Sequence, residues 1–302
     1  MIVSASYRSD IPAFYAAWFR RRLAAGSAES VNPYNGRATS IDLTPAGCDG
    51  FVFWTRNIDP LRATLDDLAA QRRPFVVQYT LTGYPRALEA SVPTPERAVA
   101  AIRALADRFG PAAVVWRYDP VLWSDLTPPA WHRANFAALA DALAGAVDEV
   151  VLSAATIYAK SRRNLTAAAA RHGFAWWDPD PADKAALLAG LGEIAAARGL
   201  TPTLCAQPQL LDAAAPSPLQ PARCIDAARL SRVAGHPIRA ATKGNRPGCH
   251  CAEARDLGAY DTCPHGCVYC YAVRRPELAK QRHARHDPAA PGLAPAARAD
   301  RG

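Results

Sequence analysis

The sequence lacks any run of about 18 consecutive apolar residues, so no transmembrane helix is predicted. Its first residues, Met1 to Ser6, also lack the basic stretch and the apolar stretch of a secretory signal peptide. We therefore expect a cytoplasmic protein with no membrane partner. In that compartment, eight cysteines are expected to be metal ligands or catalytic thiols rather than disulfides.

Acidic residues are in the minority. The chain has 35 Lys and Arg against 27 Asp and Glu, a formal net charge of +8. From Tyr271 onward there are seven Lys or Arg and three acidic residues, so the C-terminal segment carries part of the excess. A basic surface favours anionic partners, including nucleic acid. A solvated, arginine-rich composition explains the same numbers without any partner.

Three cysteines share one short segment, with the spacing Cys263-x3-Cys267-x2-Cys270. Thiolates this close on a tight loop can bind one iron–sulfur centre, and Gly266 permits a sharp turn between them. Three thiolates leave a four-iron cluster one protein ligand short. The count therefore predicts a [4Fe-4S] cluster with one iron open to a substrate or cofactor.

The remaining cysteines divide into one isolated residue and a group of four. Cys48 stands alone before a predicted strand and is expected to be a small packed side chain. Cys205, Cys224, Cys249 and Cys251 suffice for a second closed site, either another [4Fe-4S] cluster or a structural zinc. Two nearby histidines are left out of the ligand set because thiolates are softer ligands: His250 and His265.

Strands and helices are predicted to alternate six times between residues 2 and 238. The predicted strands are residues 2–6, 50–54, 75–81, 113–116, 150–154 and 203–206. Such alternation predicts an α/β protein with a parallel sheet. We predict a partial (β/α)6 TIM-like barrel over 1–238, with a flat doubly wound sheet as the alternative. A cysteine-rich iron–sulfur cap over 239–274 and a disordered, basic Ala/Pro-rich tail over 275–302 are expected to follow.

Charged and aromatic residues recur just after the predicted strands, on the sheet edge where α/β proteins build their sites. For one such residue, an ion pair or a helix cap is an equally good explanation; for the set together we favour a functional site. The set consists of Arg8, Asp10, Arg56, Asn57, Thr80, Tyr84, Arg117 and Asp119. Four are predicted to be catalytic: Arg117, Asp119, Tyr84 and Arg56. Tyr269 joins three others as predicted cofactor-binding residues: Asn57, Thr80 and Arg8.

Several longer motifs resemble those of the domain-of-unknown-function 1848 family. They are 53–57 (Phe-Trp-Thr-Arg-Asn), 78–85 (Gln-Tyr-Thr-Leu-Thr-Gly-Tyr-Pro), 116–120 (Trp-Arg-Tyr-Asp-Pro) and the string 256–267 that leads into the cysteines. The resemblance runs from Ile2 to about Tyr271. Within it, Cys263 to Cys270, with an aromatic residue at Tyr269, resembles the cysteine motif of radical S-adenosylmethionine enzymes.

The second resemblance implies a division of labour. The three cysteines would hold three irons, and the amine and carboxylate of S-adenosylmethionine would bind the fourth. An electron from the cluster would then cleave the sulfonium and give a 5′-deoxyadenosyl radical that abstracts hydrogen from a substrate. This chemistry implies an electron donor as a partner. The motif here follows the sixth predicted strand rather than the first, and Thr55-Arg56-Asn57 stands where such enzymes usually carry Gly-Gly-Glu.

Two other functions are compatible with the sequence. One is a zinc-stabilised binding module with one or two tetrahedral sites, whose ligands would come from Cys249, Cys251, Cys263, Cys267, Cys270, His250 and His265. A nucleic-acid protein is favoured by the basic loop Lys160 to Arg163 and by a similarity of the cysteine spacing to spore photoproduct lyase relatives, which repair DNA. The bases of a bound nucleic acid would stack on aromatic side chains. Aromatic side chains are, however, found more often in a packed core. The aromatic candidates are Trp54, Tyr79, Tyr84, Trp116 and Tyr118.

Overall fold

The structure is a computed structural model that describes residues 1–293. Its strands are β1 (Ile2–Ala5), β2 (Ser27–Val31), β3 (Ala38–Asp42), β4 (Gly50–Thr55), β5 (Phe75–Thr80), β6 (Val114–Val121), β7 (Glu149–Ala154), β8 (Thr201–Leu204), β9 (Gln220–Pro221) and β10 (Ala254–Asp256). Its helices are α1 (Ile11–Phe14), α2 (Ala16–Ala25), α3 (Arg62–Ala70), α4 (Pro95–Phe109), α5 (Pro129–Leu143), α6 (Ala159–His172), α7 (Pro181–Ala196), α8 (Pro208–Ala213), α9 (Ala227–Ala234) and α10 (Pro276–Ala284).

Eight strands form one sheet in the order β10-β1-β4-β5-β6-β7-β8-β9, and neighbouring strands run parallel. Strands β2 and β3 form a separate antiparallel hairpin. The order from β1 to β9 follows the chain without a reversal, unlike a doubly wound sheet. The predicted mixed α/β fold with a parallel sheet is confirmed. Within residues 1–293, β10 and β9 are the two edges, so the sheet is open rather than a closed barrel.

Both faces of the sheet are covered by other parts of the chain. Successive side chains of a strand point to opposite faces, so each strand contributes to both buried layers. In β4, Phe51 and Phe53 pack with the main helical layer, whereas Val52 packs on the other face. That second face is covered by α9, through Leu230, and by irregular segments that carry Cys224 and Cys251. Fully buried apolar strands such as β4 are what a sheet covered on both sides requires.

Helix α9 has a side-chain cap that can be tested. The Asp226 carboxylate accepts a hydrogen bond from the Ala228 backbone N–H at 2.8 Å. We expect Asp226→Ala to lower the free energy of unfolding by about 1 kcal/mol, and Asp226→Ser to retain most of the stability. Chemical denaturation would measure both. Equal losses for Ala and Ser would show that the cap does not stabilise α9, and exposed Asp212→Ala is the control.

One predicted strand was too short. Residues 113–116 were predicted, but β6 continues to Val121, so Arg117 and Asp119 lie inside the strand instead of after it. Pro120 cannot donate to a neighbouring strand and usually ends one. Here the pairing with β7 shifts register between Tyr118 and Val121, which accommodates the proline without ending β6.

The C-terminal segment also differs from its prediction. Residues 276–284 form helix α10, although disorder was expected from residue 275. The side chain of Leu293 packs into the main core, and the indole N–H of Trp18 donates to the carbonyl of Ala290 at 2.9 Å. The rest of the predicted tail lies outside the described residues. No helix among residues 1–293 is both long and apolar enough to cross a bilayer.

Candidate functional site

The loop with three cysteines lies at the carboxyl-end edge of the sheet, where segments following β1 and β5 hold it. The Ser91 N–H donates to the carbonyl of His265 at 2.9 Å, and the Val268 N–H donates to that of Leu88 at 3.1 Å. The hydroxyl of Tyr15 donates to the Thr262 carbonyl at 2.6 Å. Hydrogen bonds from two separate parts of the chain to the backbone of the loop therefore fix the loop in place.

The three thiols of this loop are half-buried and form no disulfide. Burial raises the pKa of Cys267 to about 12 and that of Cys263 above its ordinary value, because a thiolate loses its hydration there. Bound iron would offset that penalty. The Ala272 N–H already donates to the sulfur of Cys270 at 3.3 Å, the kind of hydrogen bond that tunes cluster sulfurs. Three soft donors held this way fit the ligand set of an iron–sulfur cluster.

No three His, Cys, Asp or Glu side chains converge on one point as a single bound ion would require, among the residues described. A four-iron cluster does not need that convergence, because each thiolate binds a different iron. The lack of convergence at the loop is therefore compatible with a cluster.

A buried polar network lies beside the loop. The guanidinium of Arg56, which follows β4, contacts the carboxylate of Glu89 at 2.8 Å and donates to the hydroxyl of Tyr269 at 2.6 Å. Glu89, 1% exposed, also accepts from the hydroxyls of Thr82, at 2.6 Å, and Tyr269. Burial disfavours the charge on Arg56, but Glu89 and the neighbouring Tyr269 and Cys267 more than offset this and raise its pKa.

A cavity of about 120 Å³ opens next to this network. Its lining includes Arg56, Glu89 and Thr80, together with Thr82 and Thr94. Hydroxyls and a guanidinium around a small space suit a small polar or anionic group. Of the predicted cofactor residues, Thr80 thus lines the cavity with Arg56, and Tyr269 accepts a hydrogen bond from Arg56.

A second carboxylate, Asp10, connects β1 and β4 to the loop. It accepts from the Thr55 hydroxyl and from the Arg56 backbone N–H, both at 2.8 Å. It also lies 2.8 Å from Nε2 of His265, whose Nδ1 lies 3.0 Å from the carbonyl of Ser91. His265 therefore helps to position the cysteine loop.

Asp256, the last residue of β10, organises the neighbouring strand end. Its carboxylate accepts from the hydroxyls of Ser4, at 2.6 Å, and Ser6, at 2.9 Å, and from Nε of Arg8, at 2.8 Å. Arg8 is 8% exposed, and its Nη2 also donates to the Asp256 carbonyl at 3.2 Å, so Asp256 holds its side chain at this strand end. Asn57 has a similar structural contact, because its side chain accepts from the Asp59 N–H at 3.2 Å.

Of the other predicted catalytic residues, Tyr84 packs against the loop, with its ring 5.9 Å from that of Tyr269, whereas Arg117 and Asp119 lie elsewhere. Arg117 contacts the side-chain oxygen of Gln78 at 3.1 Å and the sulfur of Cys224 at 3.0 Å, and it forms an ion pair with Asp119. The structure therefore places Arg117 and Asp119 beside the second cysteine group. Tyr84 is buried; its hydroxyl donates to the Pro120 carbonyl at 2.8 Å and accepts from the Leu122 N–H at 2.9 Å.

The predicted aromatic stacking surface is not present as such. Tyr79, Tyr84, Trp116 and Tyr118 are each 6% exposed or less and belong to the buried clusters. Trp54 is half-buried, with its ring 6.1 Å from that of Tyr7. The basic residues 160–163 begin helix α6, where Lys160 lies 5.1 Å from the ring of Tyr260. The four buried rings therefore pack in the core and have no exposed face on which a base could stack.

Sequence reasoning missed Glu89 and Asp256, the two carboxylates that receive the most side-chain contacts around the loop. A signal existed for Asp256, which begins the string leading into the cysteines. Glu89 stands in Ala87-Leu88-Glu89-Ala90, where a lone acidic residue among small apolar ones suggests a paired buried charge. Their partners are distant in sequence, so spacing gave no indication of them.

Comparison with known proteins identifies a family whose description names no function. The family model described as "Domain of unknown function (DUF1848)" matches residues 2–272, most of the chain. No curated protein matches. The chain belongs to the DUF1848 family.

Proposed function

We propose that this member of the DUF1848 family is an iron–sulfur enzyme of the radical S-adenosylmethionine type. Cys263, Cys267 and Cys270 would hold a [4Fe-4S] cluster whose fourth iron stays open. The observation that carries the proposal is the placement of these thiols, unpaired and half-buried, in a loop fixed at the carboxyl ends of β1 and β5. The polar edge of a parallel sheet is where such folds build active sites.

The order of strands supports the same proposal. The cysteine motif comes late in the sequence, whereas it follows the first strand in most enzymes that it resembles. In this sheet, however, β10 lies at the edge directly beside β1, in register with Ile2 to Ser4. A loop that follows β10 therefore occupies the place of a loop following the first strand of the sheet. We interpret the open sheet as an incompletely closed barrel and residues 239–274 as its cap.

The residues around the loop would prepare it for a negatively charged centre. The positive charge of the Arg56 guanidinium favours the thiolate form of Cys267. It therefore opposes burial, which raises the pKa of that thiol. Lys160 acts in the same direction on Cys270. Glu89 and Tyr269 hold Arg56 in place and shield it from water. When bound, the cluster would supply the electron that cleaves S-adenosylmethionine, while the chain binds, orients and excludes solvent.

The test uses protein purified and reconstituted without oxygen. We expect about four irons at this loop, an electron paramagnetic resonance signal that changes when S-adenosylmethionine is added, and release of 5′-deoxyadenosine. Cys267→Ala should lose that iron and the cleavage activity while keeping the fold by circular dichroism. Cys48→Ala, which removes a buried cysteine far from the loop in sequence, is the matched control. Cleavage at an unchanged rate in Cys267→Ala would refute the proposal.

Other outcomes identify the alternatives. Iron without a spectral change would leave an iron–sulfur protein whose open iron takes another ligand. Zinc alone, with no sulfide, would favour the zinc-stabilised binding module. Binding of single-stranded DNA that weakens steeply with salt would favour a nucleic-acid substrate.

A further inference from the structure

We propose that the second cysteine group binds a single divalent, thiophilic metal ion of the zinc class, and that this ion fastens together the two edges of the sheet. The group consists of Cys205, Cys224, Cys249 and Cys251. It lies on the sheet face opposite the main helical layer, with Val52, Val76 and Val115 beneath it. This site is separate from the cysteine loop of the proposed function.

The spacing of two sulfurs distinguishes the kinds of centre. The sulfurs of Cys205 and Cys224 are 3.6 Å apart. Thiolates about 2.3 Å from a tetrahedral zinc lie about 3.8 Å from one another, whereas disulfide sulfurs are about 2.0 Å apart. In a four-iron cluster each thiolate binds a different iron, which separates the sulfurs further. The observed distance matches one tetrahedral ion.

The other two cysteines lie close to this pair. Cys251 and Cys249 belong to the same packed cluster as Cys224 and Cys205 on this face of the sheet. The Ile225 N–H donates to the sulfur of Cys251 at 3.4 Å, which fixes it beside the Cys224 backbone. The four side chains thus lie in one cluster, although in the described residues they do not converge on one point. A bound ion would draw the four sulfurs into a tetrahedron.

Two of the four cysteines are less buried than the others. Cys205 and Cys249 are half-buried, and Cys249 belongs to an irregular, exposed segment over 239–250. The other two, Cys224 and Cys251, are buried. A shift of the Cys249 segment toward the buried pair would complete the ligand set without disturbing the sheet.

Two guanidinium groups face the same sulfurs. Nη1 of Arg117 lies 3.0 Å from the sulfur of Cys224, and Nη2 of Arg246 lies 3.6 Å from that of Cys205. Four thiolates around a divalent ion carry net negative charge, which charge-assisted hydrogen bonds stabilise. Asp119, paired with Arg117, offsets part of this positive charge.

The position of the ligands indicates what the ion does. Cys205 directly follows β8 and Cys224 follows β9, at one edge of the sheet, whereas Cys249 and Cys251 precede β10 at the other. One ion bound to all four would cross-link the two edges across the covered face. This role is structural, since all four coordination positions would be filled by protein.

Zinc analysis of the full-length protein tests the site. We expect about one zinc per chain, lost in Cys224→Ser and in Cys251→Ser but kept in Cys267→Ala and Cys48→Ala. A second set of about four irons, lost from the same serine variants, would overturn the assignment. Wild-type protein without zinc that also fails to bind added zinc would overturn it as well.

Cobalt substitution keeps the proposal testable if the serine variants fail to fold. Wild-type protein loaded with Co²⁺ alone should show intense visible bands of a tetrahedral site and strong thiolate-to-cobalt charge transfer. Weak, octahedral-type bands would contradict four thiolate ligands. The iron content of the cysteine loop is measured on the samples used for zinc analysis, so failure of this site and failure of the proposed function give different results.

Discussion

Replacing Glu89 by Ala is expected to lower the free energy of unfolding by about 3–5 kcal/mol, because it removes one partner of a buried ion pair and leaves the other charge without compensation. Glu89 is 1% exposed and lies 2.8 Å from the Arg56 guanidinium. The same change removes the acceptor of the Thr82 and Tyr269 hydroxyls. Denaturant unfolding of the metal-free protein would measure the effect without a contribution from bound iron.

Two further variants separate charge burial from general damage. The double change Arg56→Met with Glu89→Leu removes both charges, so it should recover a large part of the stability lost in Glu89→Ala. Glu253→Ala, which breaks an exposed pair with Lys243, should change stability little. A double variant no more stable than Glu89→Ala would contradict the importance of the unpaired guanidinium.

The second large effect is expected at Asp256. Asp256→Ala should also cost about 3–5 kcal/mol, because Arg8 would stay buried without its carboxylate. The change further removes acceptors for the hydroxyls of Ser4 and Ser6 and for the Gly258 N–H. Asp256→Asn keeps the shape and some acceptors but loses the charge, so an intermediate loss is expected in the same unfolding experiment.

A second measurement on Asp256→Ala connects stability to the site. Asp256 attaches the segment that leads into the cysteines to the end of β1. In a variant that remains folded, we expect amide hydrogen exchange to become faster than in the wild-type protein. The increase should be larger over 257–272 than over β5 and β6. Uniform exchange across the chain, or an unchanged unfolding curve, would show that the carboxylate does not anchor this segment. The surface variant Asp212→Ala serves as the reference.

The strands of the sheet were predictable because their chemistry is local. Apolar runs such as Phe51-Val52-Phe53 indicate a strand covered on both faces, and the structure has β4 there. Short β10 could not be found in this way, since Ala254-Arg255-Asp256 has no apolar run and becomes a strand by pairing with β1. The continuation of β6 past Pro120 was missed because it depends on pairing with β7.

The candidate site was predictable to the extent that its residues are close in sequence. The Cys263 to Cys270 spacing pointed to one loop, and the structure places Arg56 beside it, in contact with Tyr269 of the loop. Arg117, also predicted to be catalytic, contacts Cys224 of the second cysteine group. The sequence indicates which strand ends share an edge, but not which of them faces which cysteine group, because that depends on how an irregular segment folds back.

The pairing of β10 with β1 also has a consequence for how the protein is made. Ser6 and Asp256 share a hydrogen bond although 250 residues separate them. During synthesis, the outer edge of β1 must wait unpaired until β10 emerges, and exposed strand edges promote association between chains. Arg8 and Asp10 likewise lack their late partners, Asp256 and His265, until that moment. The cysteine loop is thus completed only after β10 has paired with β1, so a metal centre bound there would form after the sheet instead of guiding its early folding.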